Sequence, residues 1–256
     1  MTVSMRPRIL TVVPARYAST RFPGKIIAPL AGKPLVYQTY LRARQAKLVS
    51  EALIATDDQK VVDALAPFDV RVVMTRVDHA SGTDRIAEVA EHTDAEIIVN
   101  VQGDEPLLSP EIIDETIQPL LHQPDVVMST ARRLITDPAD LDDTNVVKVV
   151  CDLNGHALYF SRECIPHIRD AADRTARPPC HWQHVGLYVY RRDFLLKFAQ
   201  MPLSPLEKLE KLEQLRVLEN GYKIAVVDTE YEAVGVDTPA DLERVRRLME
   251  SSRQEG

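Results

Sequence analysis

The stretch Ile9-Leu-Thr-Val-Val-Pro-Ala-Arg-Tyr-Ala-Ser-Thr-Arg-Phe-Pro-Gly-Lys25 joins a short apolar run to a basic loop. The apolar run at residues 9–13 is rich in β-branched side chains and predicts a buried parallel strand. The loop carries three cations, Arg16, Arg21 and Lys25. Open α/β sheets bind ligands at the carboxyl ends of their strands, so a cationic loop in this place predicts a site for an anion.

Composition makes that basic loop informative. The chain has 256 residues, with 31 Lys and Arg against 38 Asp and Glu, a net charge of −7. An acidic chain of this kind does not favour nonspecific nucleic-acid binding, so a local basic loop indicates a specific anion. We expect no membrane insertion, because no apolar run approaches spanning length. The three cysteines have neither disulfide-framework nor CxxC spacing, and we therefore expect a cytoplasmic protein.

The order of predicted elements indicates an α/β fold in a single domain spanning residues 1–256. In the first half, strands are predicted at 51–55, 70–74 and 97–101, and helices at 35–46, after a cap at 57 or 58 to about 66, and at 83–91. This alternation predicts a parallel, right-handed, doubly wound sheet. The second half is less regular, with strands at 125–133, 146–150, 157–161, 185–190 and 223–227 and helices at 193–199, 205–219 and 239–249. Residues from about 126 to 200 are interpreted as an inserted, less regular subdomain.

The basic loop matches no common phosphate-binding motif. A P-loop requires GxxxxGK[ST], but Lys25 is followed by Ile26, and the dinucleotide pattern GxGxxG is also absent. Side-chain cations, with Ser19 as a nearby hydroxyl, would therefore hold the phosphates. Carboxylates elsewhere would have to hold magnesium, and Asp104, directly after a predicted strand, is one candidate. Asp237 is a second candidate, although its place before Pro239 also suits a helix N-cap.

Other polar residues allow both a functional and a structural interpretation. Either Asp57 or Asp58 is expected to cap the second helix, although an acidic residue that ends the second strand could also contact a ribose. Ser81 or Thr83 is expected to cap the third helix, with Arg85 in its first turn. Further along the chain, Arg162 and His184 are candidates for binding an anionic second substrate, although each residue type is more often structural when taken alone. 

Seven segments in order resemble the 3-deoxy-manno-octulosonate (Kdo) cytidylyltransferases. Three are the stretch at residues 14–25, Met74-Thr-Arg-Val-Asp-His-Ala-Ser-Gly-Thr-Asp-Arg85 and Val99-Asn-Val-Gln-Gly-Asp-Glu-Pro106. The others lie at residues 145–149, 159–162, 184–188 and 206–216. The resemblance implies a Rossmann-like nucleotidyltransferase fold, a mostly parallel sheet flanked by helices with a smaller dimerisation insertion. It also implies that CTP and Kdo give CMP-Kdo and diphosphate, with Mg²⁺, for lipopolysaccharide biosynthesis in a homodimer.

The resemblance also implies roles for particular residues of this sequence. Those expected at the CTP are Arg16, Ser19, Arg21, Lys25, Ser81, Arg85 and Gln102, with the last two against the cytosine. Asp104 and Asp237 would hold Mg²⁺ and, with Arg16 and Lys25, form the catalytic set. Those expected at the carboxylate and hydroxyls of the sugar are Arg162, His184, Tyr188 and Gln214.

The sequence departs from the family pattern at two places, both in the part expected to bind the sugar. Gln183 precedes His184 where the family pattern suggests arginine, and residues 171–179 are unusually charged and proline-rich. A CMP-sugar synthetase for sialic acid or 8-amino-Kdo is the nearest alternative, although the sialic pattern has an asparagine where Ile26 stands. The glycine-rich loop typical of uridylyl- and guanylyltransferases is absent. A noncatalytic nucleotide-binding regulator is a further alternative, and loss of a metal carboxylate would favour it.

Overall fold

The computed structural model describes residues 7–19, 21–170 and 180–254. Thr20 of the basic loop and the charged segment at residues 171–179 lie outside these ranges. One large sheet dominates the described residues, with helices on both faces. Seven strands form the main path of this sheet, and two further strands lie beside it. No helix in the described ranges is long and apolar enough to cross a bilayer.

The first half of the chain forms the parallel part of the sheet, as predicted. Its elements are β1 (Ile9–Ala15), a 3₁₀ turn (Lys25–Ile27), β2 (Pro29–Leu30), β3 (Lys33–Pro34), α1 (Leu35–Ala43), β4 (Glu51–Thr56), α2 (Gln59–Leu65), β5 (Val72–Met74), α3 (Gly82–Glu91) and β6 (Ile97–Asn100). Strand β1 pairs in parallel with both β4 and β6. Ile9 and Val13 pack into the core on one face of the sheet, and Leu10 and Val12 pack into the core on the other. Burial on both faces explains why the strand is apolar without alternation.

The second half adds both parallel and antiparallel strands. Its elements are α4 (Pro110–His122), β7 (Val126–Leu134), α5 (Ala139–Asp142), β8 (Lys148–Cys151), β9 (Ala157–Ser161), β10 (Trp182–Arg191), α6 (Arg192–Ala199), α7 (Pro205–Glu210), α8 (Gln214–Glu219), β11 (Lys223–Asp228) and α9 (Pro239–Gln254). The strand order of the main sheet is β11-β7-β10-β6-β1-β4-β5. Strand β10 is antiparallel to both β6 and β7, whereas β11 is parallel to β7. Residues 126–200 therefore contribute β7 and β10 to the main sheet and β8 and β9 to an antiparallel arm beside it.

The helices differ from the sequence prediction at three places, of which one is the short helix α5, which was not predicted. Helix α4 was not predicted, although Ser109 caps it through the backbone N–H of Glu111 and Pro110 occupies its first turn. The predicted helix at 205–219 is wrong, because it is divided into α7 and α8. Lys211 adopts a left-handed conformation, with φ of 55°, and ends α7.

Candidate active site

The basic loop and the two predicted metal carboxylates meet at the carboxyl ends of β1 and β6. The ammonium of Lys25 donates to Asp104 Oδ2 at 2.6 Å, to Asp237 Oδ1 at 2.9 Å and to the carbonyl of Val236 at 2.9 Å. Arg21 pairs with the other oxygen of Asp237 at 3.0 Å. Burial by itself would lower the pKa of Lys25, but the two carboxylates outweigh it and raise that pKa. Three segments far apart in the chain thus share one charged cluster.

Two glycines allow these segments to approach each other. Gly24 has a left-handed φ of 70°, and its N–H donates to the carbonyl of Tyr17, which closes the basic loop ahead of Lys25. Gly103 lies against β1, because a Cβ at this position would be 2.6 Å from the carbonyl oxygen of Pro14. The close approach places Asp104, the next residue, beside the loop.

Asp237 is not the residue that caps α9. Thr238 Oγ1 accepts a hydrogen bond from the backbone N–H of Asp241 at 3.2 Å, and Asp241 Oδ2 accepts from the backbone N–H of Thr238 at 2.8 Å. This reciprocal pair satisfies two backbone N–H groups at the start of α9. The carboxylate of Asp237 is therefore left to pair with Lys25 and Arg21.

The donor set fits a magnesium ion held mainly by substrate. Asp104 and Asp237 both reach one atom, Lys25 Nζ, so their oxygens converge on a common point. No cluster of three or more acidic, histidine or cysteine side chains suited to a metal occurs among the described residues. Mg²⁺ commonly takes one or two protein carboxylates and completes its coordination with phosphate oxygens and water. 

Glu105 lies next to Asp104 and was missed by the sequence analysis. Burial, with a smaller contribution from the charge of Asp104, raises the pKa of Glu105 to about 7. The hydroxyl of Tyr231 donates to Glu105 Oε2 at 3.3 Å. The sequence could have indicated Glu105, because it directly follows Asp104 at the end of the same predicted strand.

The remaining residues predicted for CTP occupy different environments. Arg16 is exposed and donates to the carbonyl of His79, while Ser19 Oγ accepts from the N–H of Phe22 at 3.4 Å. Ser81 caps α3 in a capping box. Gln102 is partly exposed and lines two adjoining cavities.

Arg85 is fully buried rather than open to a ligand. Its guanidinium donates to Asp57 Oδ2 at 2.6 Å and to the hydroxyl of Thr75, and its Nε has no partner among the described residues. Asp57 is therefore engaged by Arg85, and Asp58 caps α2 through the N–H of Lys60 at 2.8 Å. In this conformation Arg85 braces the ends of β4 and β5 against α3.

Beside the charged cluster lie two adjoining cavities of about 300 and 250 Å³. The larger is lined by Gln102, Asn145, Val147, Gln183, His184, Gly186, Tyr188, Leu212 and Gln214. The smaller is lined by Gly82, Thr83, Asn100, Gln102, Tyr188, Tyr190, Lys211, Leu212, Glu213 and Gln214. Gln102 links both cavities to the strand end that carries Asp104.

Known proteins resemble the chain over nearly its whole length. A family model described as cytidylyltransferase matches residues 10–224. The 3-deoxy-manno-octulosonate cytidylyltransferase of Solibacter usitatus is 56% identical over 252 residues, covering 98% of both chains. That of Geobacter sulfurreducens is 55% identical, covering 93% of this chain and 97% of its own. The chain belongs to the 3-deoxy-manno-octulosonate cytidylyltransferase family.

Structural comparison supports this family assignment. The structure of a CMP:2-keto-3-deoxy-manno-octonic acid synthetase complexed with CTP aligns with a TM-score of 0.89 at 41% identity, covering 96% of this chain and 99% of that chain. A cytidylyltransferase from Leptospira borgpetersenii aligns with a TM-score of 0.61 at 17% identity and shows the fold alone. The predicted nucleotidyltransferase fold is thereby confirmed.

Three of the four residues predicted for the sugar lie together in this cytidylyltransferase family member. His184, Tyr188 and Gln214 line the larger cavity, and Tyr188 Oη donates to Gln214 Oε1 at 3.4 Å. Burial lowers the pKa of His184 to about 3 and raises the pKa of Tyr188, so both rings are uncharged near neutral pH. 

Arg162, the fourth residue, is held by backbone carbonyls. Its guanidinium donates to the carbonyl of Thr144 at 2.8 Å and to that of Glu210 at 2.7 Å. It thus fixes the chain beside Asn145, a cavity residue that the sequence analysis did not assign. Asn145 lies in one of the motifs that carried the family resemblance, which was the available signal.

Proposed function

We propose that the chain transfers CMP from CTP to 3-deoxy-manno-octulosonate, giving CMP-Kdo and diphosphate for lipopolysaccharide biosynthesis. The observation that carries the proposal is the cluster of Lys25, Asp104 and Asp237 beside an uncharged polar cavity. The full-length likeness to named Kdo cytidylyltransferases supports the choice of both substrates.

The chemistry of this proposal is one displacement at phosphorus. The anomeric hydroxyl oxygen of Kdo forms a bond to the α-phosphorus of CTP, the bond from that phosphorus to the β-phosphate bridging oxygen breaks, and the hydroxyl proton passes to solvent. Diphosphate leaves with the bonding electron pair. Positioning and charge neutralisation supply most of the acceleration in such a reaction.

The roles of the chain's own residues follow from their charges and places. Lys25, with Arg16 and Arg21 from the same loop, would neutralise the triphosphate. We propose Mg²⁺ as the cofactor, held by Asp104 and Asp237; when bound, it would neutralise phosphate charge and polarise the phosphorus. 

Uncharged groups of the larger cavity would orient the sugar. Of the described residues that line it, none carries a formal charge at neutral pH, since burial keeps His184 neutral. Amides and hydroxyls of this kind suit sugar hydroxyl groups.

We also propose that the protein is a cytoplasmic homodimer.

The test is an assay of diphosphate release that crosses the four ribonucleoside triphosphates with Kdo, 8-amino-Kdo and sialic acid. We expect the highest kcat/KM with CTP and Kdo in the presence of Mg²⁺. A higher kcat/KM with 8-amino-Kdo or sialic acid would show that the proposed sugar substrate is wrong. Absence of diphosphate release from every pair, with CTP still bound, would favour a nucleotide-binding regulator instead.

A further inference from the structure

Thr130 lies opposite a break in the register between β7 and β10. On one side of the break Val185 is opposite Ala131, and on the other Val189 is opposite Ser129. Residues 186–188 therefore face Thr130 alone, which is a bulge in β10. The bulge brings the carbonyl oxygens of Val185 and Leu187 to 3.0 and 2.8 Å from Thr130 Oγ1.

The same hydroxyl lies 2.9 Å from Nε2 of His184. A threonine hydroxyl has one hydrogen to donate, whereas a carbonyl oxygen can only accept. That hydrogen must point to Val185 or Leu187, since otherwise the buried hydroxyl oxygen would face two carbonyl oxygens with no hydrogen between them. Toward His184 the hydroxyl is then the acceptor, and Nε2 must carry the imidazole proton.

His184 is consequently left with one free lone pair, on Nδ1. The ring lines the larger cavity and packs between Phe160 and Tyr188, with ring centroids 4.9 and 5.4 Å away. Within the described part of the chain, no group hydrogen-bonds its Nδ1. The aromatic packing prevents the ring from turning freely, so Nδ1 is the nitrogen available to a bound molecule.

We propose that Thr130 is a positioning residue that holds His184 as the Nε2–H tautomer, so that Nδ1 accepts a hydrogen bond from a sugar hydroxyl. This inference rests on the proposed function for the identity of the ligand, but the tautomer itself does not depend on it. The lining of the larger cavity agrees with this role, because the polar side chains that the described residues contribute to it are uncharged groups suited to sugar hydroxyls. His184 thus acts as a neutral acceptor for a hydroxyl and not as a cation for an acid.

The first test reads the tautomer directly. Nitrogen-15 NMR of the labelled full-length protein without ligand, with the signal assigned by comparison with His184→Gln, distinguishes a protonated from an unprotonated ring nitrogen. We expect a protonated Nε2 and an unprotonated Nδ1 at pH 7. A protonated Nδ1, or a doubly protonated ring, overturns the proposal.

The second test separates the hydroxyl of Thr130 from its packing. Thr130→Val keeps the shape but removes the hydroxyl, and we expect KM for Kdo to rise about tenfold while KM for CTP changes less than twofold. Thr130→Ser retains the hydroxyl and is expected to restore KM for Kdo to within about threefold of the wild-type value. An unchanged KM for Kdo in Thr130→Val, or an equal defect in Thr130→Ser, contradicts the proposal.

Thr116→Val is the matched control. Thr116 is also buried, its hydroxyl donates to the carbonyl of Ile112 at 2.7 Å within α4, and it is not among the described residues that line the cavity. We expect its KM for Kdo to equal that of the wild type, and a rise matching that of Thr130→Val would overturn the proposal. If the wild type released no diphosphate from CTP and Kdo, the proposed function would fail while the NMR result would still decide the tautomer.

Discussion

Lys25 neutralises only part of the charge around it. Its ammonium contacts two carboxylates, and the nearby guanidinium of Arg21 brings the cluster to formal neutrality. A triphosphate would add several negative charges at this point. An additional cation would therefore favour CTP binding, which supports the proposal that Asp104 and Asp237 would hold Mg²⁺.

Asp104→Asn tests the carboxylate that lies nearest to Lys25. We expect kcat for diphosphate release to fall by a factor on the order of 10² to 10³, because a metal ligand is lost. The melting temperature is expected to change little, since Asp237 still pairs with Lys25. Steady-state kinetics and thermal unfolding measure the two effects.

Asp94→Asn serves as the control for the loss of one carboxylate. Asp94 pairs with Arg8 near the opposite, amino-terminal edge of the sheet, and its side chain is 75% exposed. We expect its kcat to match that of the wild type. Near-normal turnover in Asp104→Asn would be incompatible with the metal-binding role.

His184 makes the stability of the protein depend on pH. Burial lowers its pKa from 6.5 to about 3, so between these values the unfolded chain binds a proton that the folded chain does not. Its contribution to stability is complete above pH 6.5 and is lost as the pH falls toward 3. From pH 7 to pH 5, the loss should be about 2 kcal/mol.

Urea unfolding of the wild type and of His184→Asn at pH 7 and pH 5 isolates this contribution. We expect the wild type to lose about 2 kcal/mol more than the variant on acidification, because asparagine does not titrate. Equal losses of unfolding free energy in the two proteins would show that the folded protein does not lower the pKa of this histidine.

At the scale of elements, the parallel half of the fold could be predicted from the sequence. Strands such as β1 bury both faces and appear as short apolar runs, and the helices between them begin at recognisable caps such as Ser81. Helix α4 was missed because Pro119 lies inside it, where proline usually interrupts a helix. The antiparallel insertion of β10 between β6 and β7 joins residues distant in the chain, which no local pattern specifies.

Some residues of the candidate site could likewise be predicted from the sequence, and others could not. Asp104 was predictable because a parallel strand of the sheet ends just before it, and its partner Asp237 because it precedes a helix. Thr130 lies in the middle of β7 and carries no motif. Its environment depends on a register break with β10, so only the three-dimensional pairing identifies it.

The break between α7 and α8 gives a prediction for a single element. Lys211 has a φ of 55°, which strains a residue with a Cβ, and its side chain is exposed. We expect Lys211→Gly to stabilise the protein by about 0.5 to 1 kcal/mol, because glycine adopts this conformation without strain. Urea unfolding measures the change.

Lys208→Gly is the comparison within the same helix. Lys208 is exposed in α7, and glycine in a helix lowers stability by about 1 kcal/mol relative to a good helix former. The two substitutions remove the same side chain and should change the free energy of unfolding in opposite directions. A decrease in both variants would show that Lys211 is not strained.

At the scale of the whole molecule, the arm formed by β8 and β9 supports the proposed homodimer. Strand β9 forms its ladder with β8, and on its other side His156, just before the strand, forms a single bridge to Ala225 of β11. Leu158 in β9 and Leu153 in the adjoining turn are 62% and 106% exposed. Exposed apolar side chains close together favour association, and a second copy of the chain is the occupant we propose.

Light scattering after size-exclusion chromatography tests this assembly. We expect the wild type to elute with twice the 28.8 kDa mass of the chain, and Leu158→Asp to shift to the mass of one chain because it buries a carboxylate in the contact. Leu209→Asp is the control, since Leu209 is 79% exposed on α7, outside the arm, and should leave the mass unchanged. A single-chain mass for the wild type, or an unchanged mass for Leu158→Asp, would rule out pairing through this arm.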